Sequence, residues 1–153
     1  VQNGGAIFYL SYYDLMARLH QRGPDAALRF FKQILAEFEK DELRRDPASL
    51  KNGMAGILGI IGPFPESGNV PMFYLHGLMG LDPSPGALRI RPRFPSGWDR
   101  AEAGGIHYAG RRCRIICDRN ADETSLEARE DGTLRITVPA DRASNIPAEK
   151  VTP

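Results

Sequence analysis

The chain has 153 residues, which is enough for one ordinary domain or for parts of two. Hydrophobic residues make up 42% of it and charged residues 25%, a composition typical of a globular protein with a buried core. The net charge of +1 gives no reason to expect nucleic acid or an anionic membrane as a partner. No apolar run approaches the roughly 20 residues that a helix needs to cross a bilayer, so no membrane is expected.

Two segments with helical spacing of apolar residues come first. Residues 5–21 are apolar on nearly all sides, which predicts a helix that is buried over most of its surface. Gly23 and Pro24 then predict a break. Residues 25–43 are apolar on one face and charged on the other, which predicts an amphipathic helix antiparallel to the first. Its apolar face consists of Ala27, Leu28, Phe30, Phe31, Ile34, Leu35 and Phe38.

A segment rich in glycine and proline follows over residues 44–66. It predicts a long loop, of the kind that often carries function in compact domains. A third helix is predicted over residues 70–81, with Pro71 in its first turn and Gly80 as its C-cap. The absence of a side chain at Gly80 also allows a neighbouring segment to approach closely.

The apolar spacing changes to alternation after residues 82–86, which predicts a boundary there. Beyond it the pattern predicts about five short antiparallel strands. The last two, over residues 125–129 and 134–138, flank a Glu-Asp-Gly-Thr turn and predict a hairpin. Residues 145–153 contain two prolines and are predicted to form a tail.

The two cysteines, Cys113 and Cys117, lie four residues apart in one predicted strand. They share a face there and are roughly 13 Å apart, too far for a disulfide, which needs Cα atoms within about 7 Å. No further cysteine or histidine lies nearby to complete a zinc site. We therefore expect two reduced thiols in the core, which favours a reducing compartment such as the cytoplasm.

Two parts of the sequence carry a resemblance to a known family. The first is the loop Gln2-Asn3-Gly4-Gly5, which precedes an aromatic-rich helix. The second is an ordered series: HGLMGLDP at residues 76–83, GALRIRP at 86–92, FPSGW at 94–98 and YAGRRC at 108–113. Together they resemble the six-hairpin (α/α)6-barrel glycosidases and glycoside phosphorylases. This group includes the maltose and cellobiose phosphorylases and the glucosidases related to glycogen-debranching enzymes.

The resemblance implies an α+β chain. The last helical hairpins of an (α/α)6 barrel would occupy residues 1–82, an antiparallel β-sandwich residues 83–144, and the tail residues 145–153. A six-hairpin barrel has many more helices than this chain supplies, and the chain begins at Val1 rather than Met. We therefore expect a piece of a longer protein, inactive alone, whose N-terminal region or a second chain supplies the other hairpins.

Glycoside cleavage generally uses two carboxyl groups, one to protonate the leaving oxygen and one to activate water from the opposite face. In hydrolysing members of the resembled group, the general base lies in a late loop, and Glu66 at the end of the segment 44–66 takes that place. The alternative is an acid that only stabilises a helix N-terminus through the helix dipole. The general acid is expected upstream, outside this chain. No cofactor or metal is expected.

The loop Gln2-Asn3-Gly4-Gly5 is expected to bind an oligosaccharide or disaccharide substrate. Its two amide side chains suit sugar hydroxyls, and its glycines let the backbone approach a sugar closely. The alternative is a plain turn. Trp98 is expected to seal the junction between the helical and β parts, with a platform for a sugar ring as the alternative.

The function expected from these residues is inverting glycoside hydrolysis, with Glu66 as the general base. A glycoside phosphorylase of the same fold is one alternative, since phosphate would then replace the activated water. A non-catalytic module that binds carbohydrate or another protein is the other alternative.

Overall fold

The computed structural model describes residues 10–39 and 68–152. The chain divides into two compact units, Val1–Phe73 and Tyr74–Pro153. We call the described residues of the first unit the helical region and those of the second the β region. None of the helices in these described residues is both long enough and apolar enough to span a membrane.

The helical region begins with α1, Leu10–Glu39, which is interrupted at Gly23. The backbone there has φ 80° and ψ 174°, and Pro24 follows, so the predicted break between two helices is confirmed. Leu15 and Leu19 are buried before the break. After it, Ala27, Phe31 and Ile34 are buried, as the amphipathic pattern predicts. The antiparallel arrangement of the two halves stays a prediction.

The first half of α1 is less buried than its sequence predicts. Tyr13 is 60% exposed and Leu10 49% exposed, so the expectation of a helix buried over most of its surface is wrong for the described residues. Tyr13 packs edge-on against Tyr12, with 5.3 Å between the ring centroids. A helix with apolar side chains on all sides is able to bury most of its surface. How much of that surface is actually buried depends on the segments that pack against it.

A short helix, α2, covers Asn69–Phe73 and buries Val70 and Phe73. The Phe73 ring meets the Phe31 ring of α1 edge-on, with the centroids 5.3 Å apart. The chain then continues as a π-helical turn over Tyr74–Leu78, closed by a hydrogen bond from the Met79 N–H to the Tyr74 carbonyl. The helix predicted over residues 70–81 thus exists, but it changes type and ends before Gly80.

Gly80 ends this helix as predicted. Its φ of 67° lies in the left-handed region, which favours glycine. The backbone also passes so close to Arg91 that a Cβ at this position would collide with the Arg91 carbonyl oxygen. The Gly80 carbonyl in turn accepts a hydrogen bond of 3.0 Å from the Arg91 N–H. The close approach expected at Gly80 is therefore confirmed.

The described part of the β region contains seven strands in two sheets. They are β1 Leu81–Ser84, β2 Ala87–Ile90, β3 Arg100–Tyr108, β4 Arg111–Asp118, β5 Ser125–Ala128, β6 Leu134–Pro139 and β7 Ser144–Pro147. One sheet has the order β1-β2-β7 and the other the order β3-β4-β6-β5. A 3-10 helix, Ala148–Lys150, follows β7.

Side chains from both sheets share one hydrophobic core, which gives the region a sandwich-like build. The core contains Met79, Leu81, Leu88, Ile90, Phe94, Ala101, Cys113, Ile115, Cys117, Leu134, Ile136, Val138, Ala140, Ile146 and Val151. Their alternation along β4 and β6 is the period of two that the sequence shows. The α+β class expected from the sequence agrees with this structure.

Three features of the β region were not predicted from the sequence. Residues 82–86 already belong to a sheet, because Leu81–Ser84 form β1 and pair antiparallel with β2 across a turn at Gly86, whose φ is 80°. The domain boundary expected there stays a prediction. Residues 144–147 are no tail, because they form β7 and pair with β2. The strands are not all antiparallel, since β4 and β6 run parallel.

The predicted hairpin over residues 125–138 is confirmed. β5 and β6 pair antiparallel, and the Arg129 N–H donates to the Thr133 carbonyl at 2.9 Å. Gly132 has φ 80°, and the Asp131 carboxylate accepts a hydrogen bond from the Thr133 N–H. That hydrogen bond is the main reason that the pKa of Asp131 is lowered. The turn residues therefore act as their types predict.

Candidate functional site

The residues that the sequence nominates for catalysis and substrate binding are Glu66 and the loop Gln2, Asn3, Gly4 and Gly5. All of them lie outside the residues that the structure describes. Their roles stay predictions.

Within the described residues, the most distinctive group of side chains is a set that we call the Trp98 cluster. It consists of Tyr74, Phe94, Trp98 and Arg119, all in the β region. Tyr74 is the first residue of the π-helical turn, Phe94 and Trp98 lie between β2 and β3, and Arg119 directly follows β4.

A tight turn positions Trp98. The Trp98 N–H donates to the Pro95 carbonyl at 3.2 Å, and Gly97 has φ 85°, which only glycine adopts readily. The Trp98 carbonyl accepts a hydrogen bond of 2.7 Å from Arg119 Nε. The backbone of Trp98 is therefore held by hydrogen bonds on both sides of its Cα atom.

Two aromatic rings hold the indole from the side. The centroid of Phe94 is 6.1 Å from that of Trp98, at an interplanar angle of 74°. The centroid of Tyr74 is also 6.1 Å away, at 57°. Both contacts are tilted or edge-on, which is the favourable geometry for ring pairs that are not stacked. Phe94 belongs to the buried core, whereas Trp98 is only partly buried and packs against it.

The hydroxyl of Tyr74 forms hydrogen bonds with backbone groups at the edge of a sheet. β3 is the outermost strand of its sheet, and at Glu102 both backbone groups bond to this hydroxyl. The hydroxyl donates to the Glu102 carbonyl at 2.9 Å and accepts from the Glu102 N–H at 3.1 Å. Partial burial raises the pKa of Tyr74, so the hydroxyl stays protonated at neutral pH. The cluster and the edge of β3 are thus tied together.

Glu102, whose backbone bonds to Tyr74, also forms ion pairs with two arginines. Arg100 bonds to the Glu102 carboxylate at 3.0 Å, and Arg114 forms a second, short hydrogen bond to it. The hydrogen bond from Arg114 is the largest cause of the lowered pKa of Glu102. Asp99 and Arg119 are exposed beside Trp98. These charged residues are three arginines and two carboxylates, namely Arg100, Arg114, Arg119, Asp99 and Glu102, so their formal net charge is +1.

The two thiols have no catalytic character. Cys113 and Cys117 are free and fully buried on β4, as the sequence predicts. Burial raises the pKa of both thiols, and that of Cys117 reaches about 12. Neither thiol forms a nucleophilic thiolate at neutral pH. Among residues 10–39 and 68–152, no three His, Cys, Asp or Glu side chains are grouped so that they could hold a metal ion.

Sequence reasoning found Trp98 but missed most of its surroundings. Tyr74 fits the predicted helix simply as an apolar residue, and nothing in the sequence pairs it with Glu102, which is 28 residues further along the chain. Arg119 was indistinguishable from the other arginines that alternate along the strands. The only local signal was the glycine before the tryptophan, which predicts a turn there.

Residues 81–143 match the model of a family described as Glycosyl hydrolase family 65, C-terminal domain. These residues are therefore similar to that C-terminal domain. The match begins at the first residue of β1 and ends directly before β7, so it spans most of the two-sheet core. The expected link with carbohydrate-active enzymes gains support from this match. Comparisons with curated proteins and with solved structures gave no match.

Proposed function

We propose that this chain is part of an enzyme that hydrolyses glycosidic bonds with inversion of configuration. The observation that supports the proposal is the family match over residues 81–143, which falls on the β region. The resemblance at the sequence level assigns the same segment to the sandwich that follows a helical catalytic barrel. Residues 1–82 would then contribute the last helices of that barrel.

In this proposal Glu66 acts as the general base. It would remove a proton from water while the water oxygen attacks the anomeric carbon, and a second carboxyl group would protonate the departing oxygen. That second group would come from the rest of the protein or from another chain. Gln2 and Asn3 would bond the hydroxyls of the bound sugar, and Gly4 and Gly5 would let the backbone approach it.

The decisive experiment compares the intact protein with its Glu66→Gln variant. Loss of a positioned general base is expected to lower the hydrolysis rate about 10²–10⁴-fold, because the water is no longer activated. Glu127→Gln is the matched control: Glu127 is an exposed carboxylate on β5, 3.7 Å from Arg135, and its loss is expected to leave the rate unchanged. Folding of both variants is checked by circular dichroism.

The product identifies the reaction. Early in the reaction, ¹H NMR is expected to show the sugar anomer opposite to that of the substrate, as inversion requires. A sugar phosphate formed only when inorganic phosphate is added would instead indicate phosphorolysis. Normal turnover by Glu66→Gln would remove Glu66 from the mechanism. Absence of any turnover by the intact protein would leave only the non-catalytic module.

A further inference from the structure

We draw no further inference here: the strongest candidate, the arginine cluster Arg100, Arg114, Arg129 and Arg135 on the face of the four-stranded sheet that points away from the core, carries none, because these arginines already form ion pairs with Glu102 and Glu127 and nothing in the described residues shows what would cover them.

Discussion

The helical region and the β region differ in where their large apolar side chains lie. Among the described residues, the exposed large hydrophobic side chains are Leu10, Tyr13 and Leu35, and all three lie on α1. In the β region, side chains from both sheets close one continuous core. A region that buries its own apolar surface has the main driving force to fold alone, whereas exposed apolar side chains depend on other surfaces. We therefore expect the β region to fold when it is separated from the rest of the chain, whereas we expect the helical region to depend on other surfaces.

The largest expected effect is the difference in stability between two fragments that begin at different residues. A fragment of residues 74–153 retains the whole core and is expected to unfold cooperatively. A fragment of residues 83–153 lacks Met79 and Leu81, and burying each contributes about 1.5–3 kcal/mol. That loss is a large part of the 5–15 kcal/mol that stabilises a typical domain. Thermal unfolding followed by circular dichroism is expected to show a midpoint at least about 15 °C lower for the shorter fragment.

This pair of fragments also tests where the domain begins. The sequence places the boundary at residues 82–83, whereas the compact β unit begins at Tyr74. Equal stability of the two fragments would favour the boundary that the sequence predicts. Aggregation of residues 74–153 on their own would contradict the idea that the β region satisfies its own core.

A smaller effect is expected at the glycine where the π-helical turn meets the sheet. Gly80→Ala places a Cβ against the Arg91 carbonyl in a backbone conformation that alanine disfavours. We expect a loss of about 3 kcal/mol in the free energy of unfolding, of which the left-handed conformation accounts for about 1–2 kcal/mol. Urea denaturation of the full chain measures it.

Gly86→Ala is the matched control for this substitution. Gly86 has a similar φ of 80°, but no atom lies within 4 Å of the Cβ that alanine would add. Only the conformational cost of about 1–2 kcal/mol is expected there. Equal losses at the two glycines would show that the close approach of Arg91 does not matter for stability.

Local chemistry explains which parts of the fold could be predicted from the sequence. The break at Gly23, the hairpin turn at Gly132 and the buried thiols of β4 follow from residue types within a few positions of each other. β1 and β7 were missed because each is four residues long and contains a proline, Pro83 and Pro147 respectively. Both are edge strands, where a missing N–H is tolerated.

Long-range pairing could not be predicted in the same way. β4 and β6 are parallel because β5 pairs with the far side of β6, and no local pattern encodes that order. The same holds for the candidate sites. The sequence nominates Glu66 by resemblance and offers two roles for Trp98. The partners of Trp98, namely Tyr74 and Arg119, are brought to it by the fold, from segments that lie 24 and 21 residues away in sequence.

The smallest expected effect concerns the tie between the π-helical turn and the edge of β3. Tyr74→Phe keeps the ring against Trp98 but removes the hydroxyl that bonds to both backbone groups of Glu102. We expect a loss of about 1 kcal/mol in the free energy of unfolding, because water replaces the hydroxyl at this exposed edge. Tyr108→Phe is the matched control, since its hydroxyl reaches the Ile146 carbonyl only at 3.5 Å. A loss at Tyr74 no larger than that at Tyr108 would mean that the tie stabilises little. The π-helical turn would then be held against the sheets mainly by apolar contacts, such as those of Tyr74 with Trp98 and of Leu75 with the core.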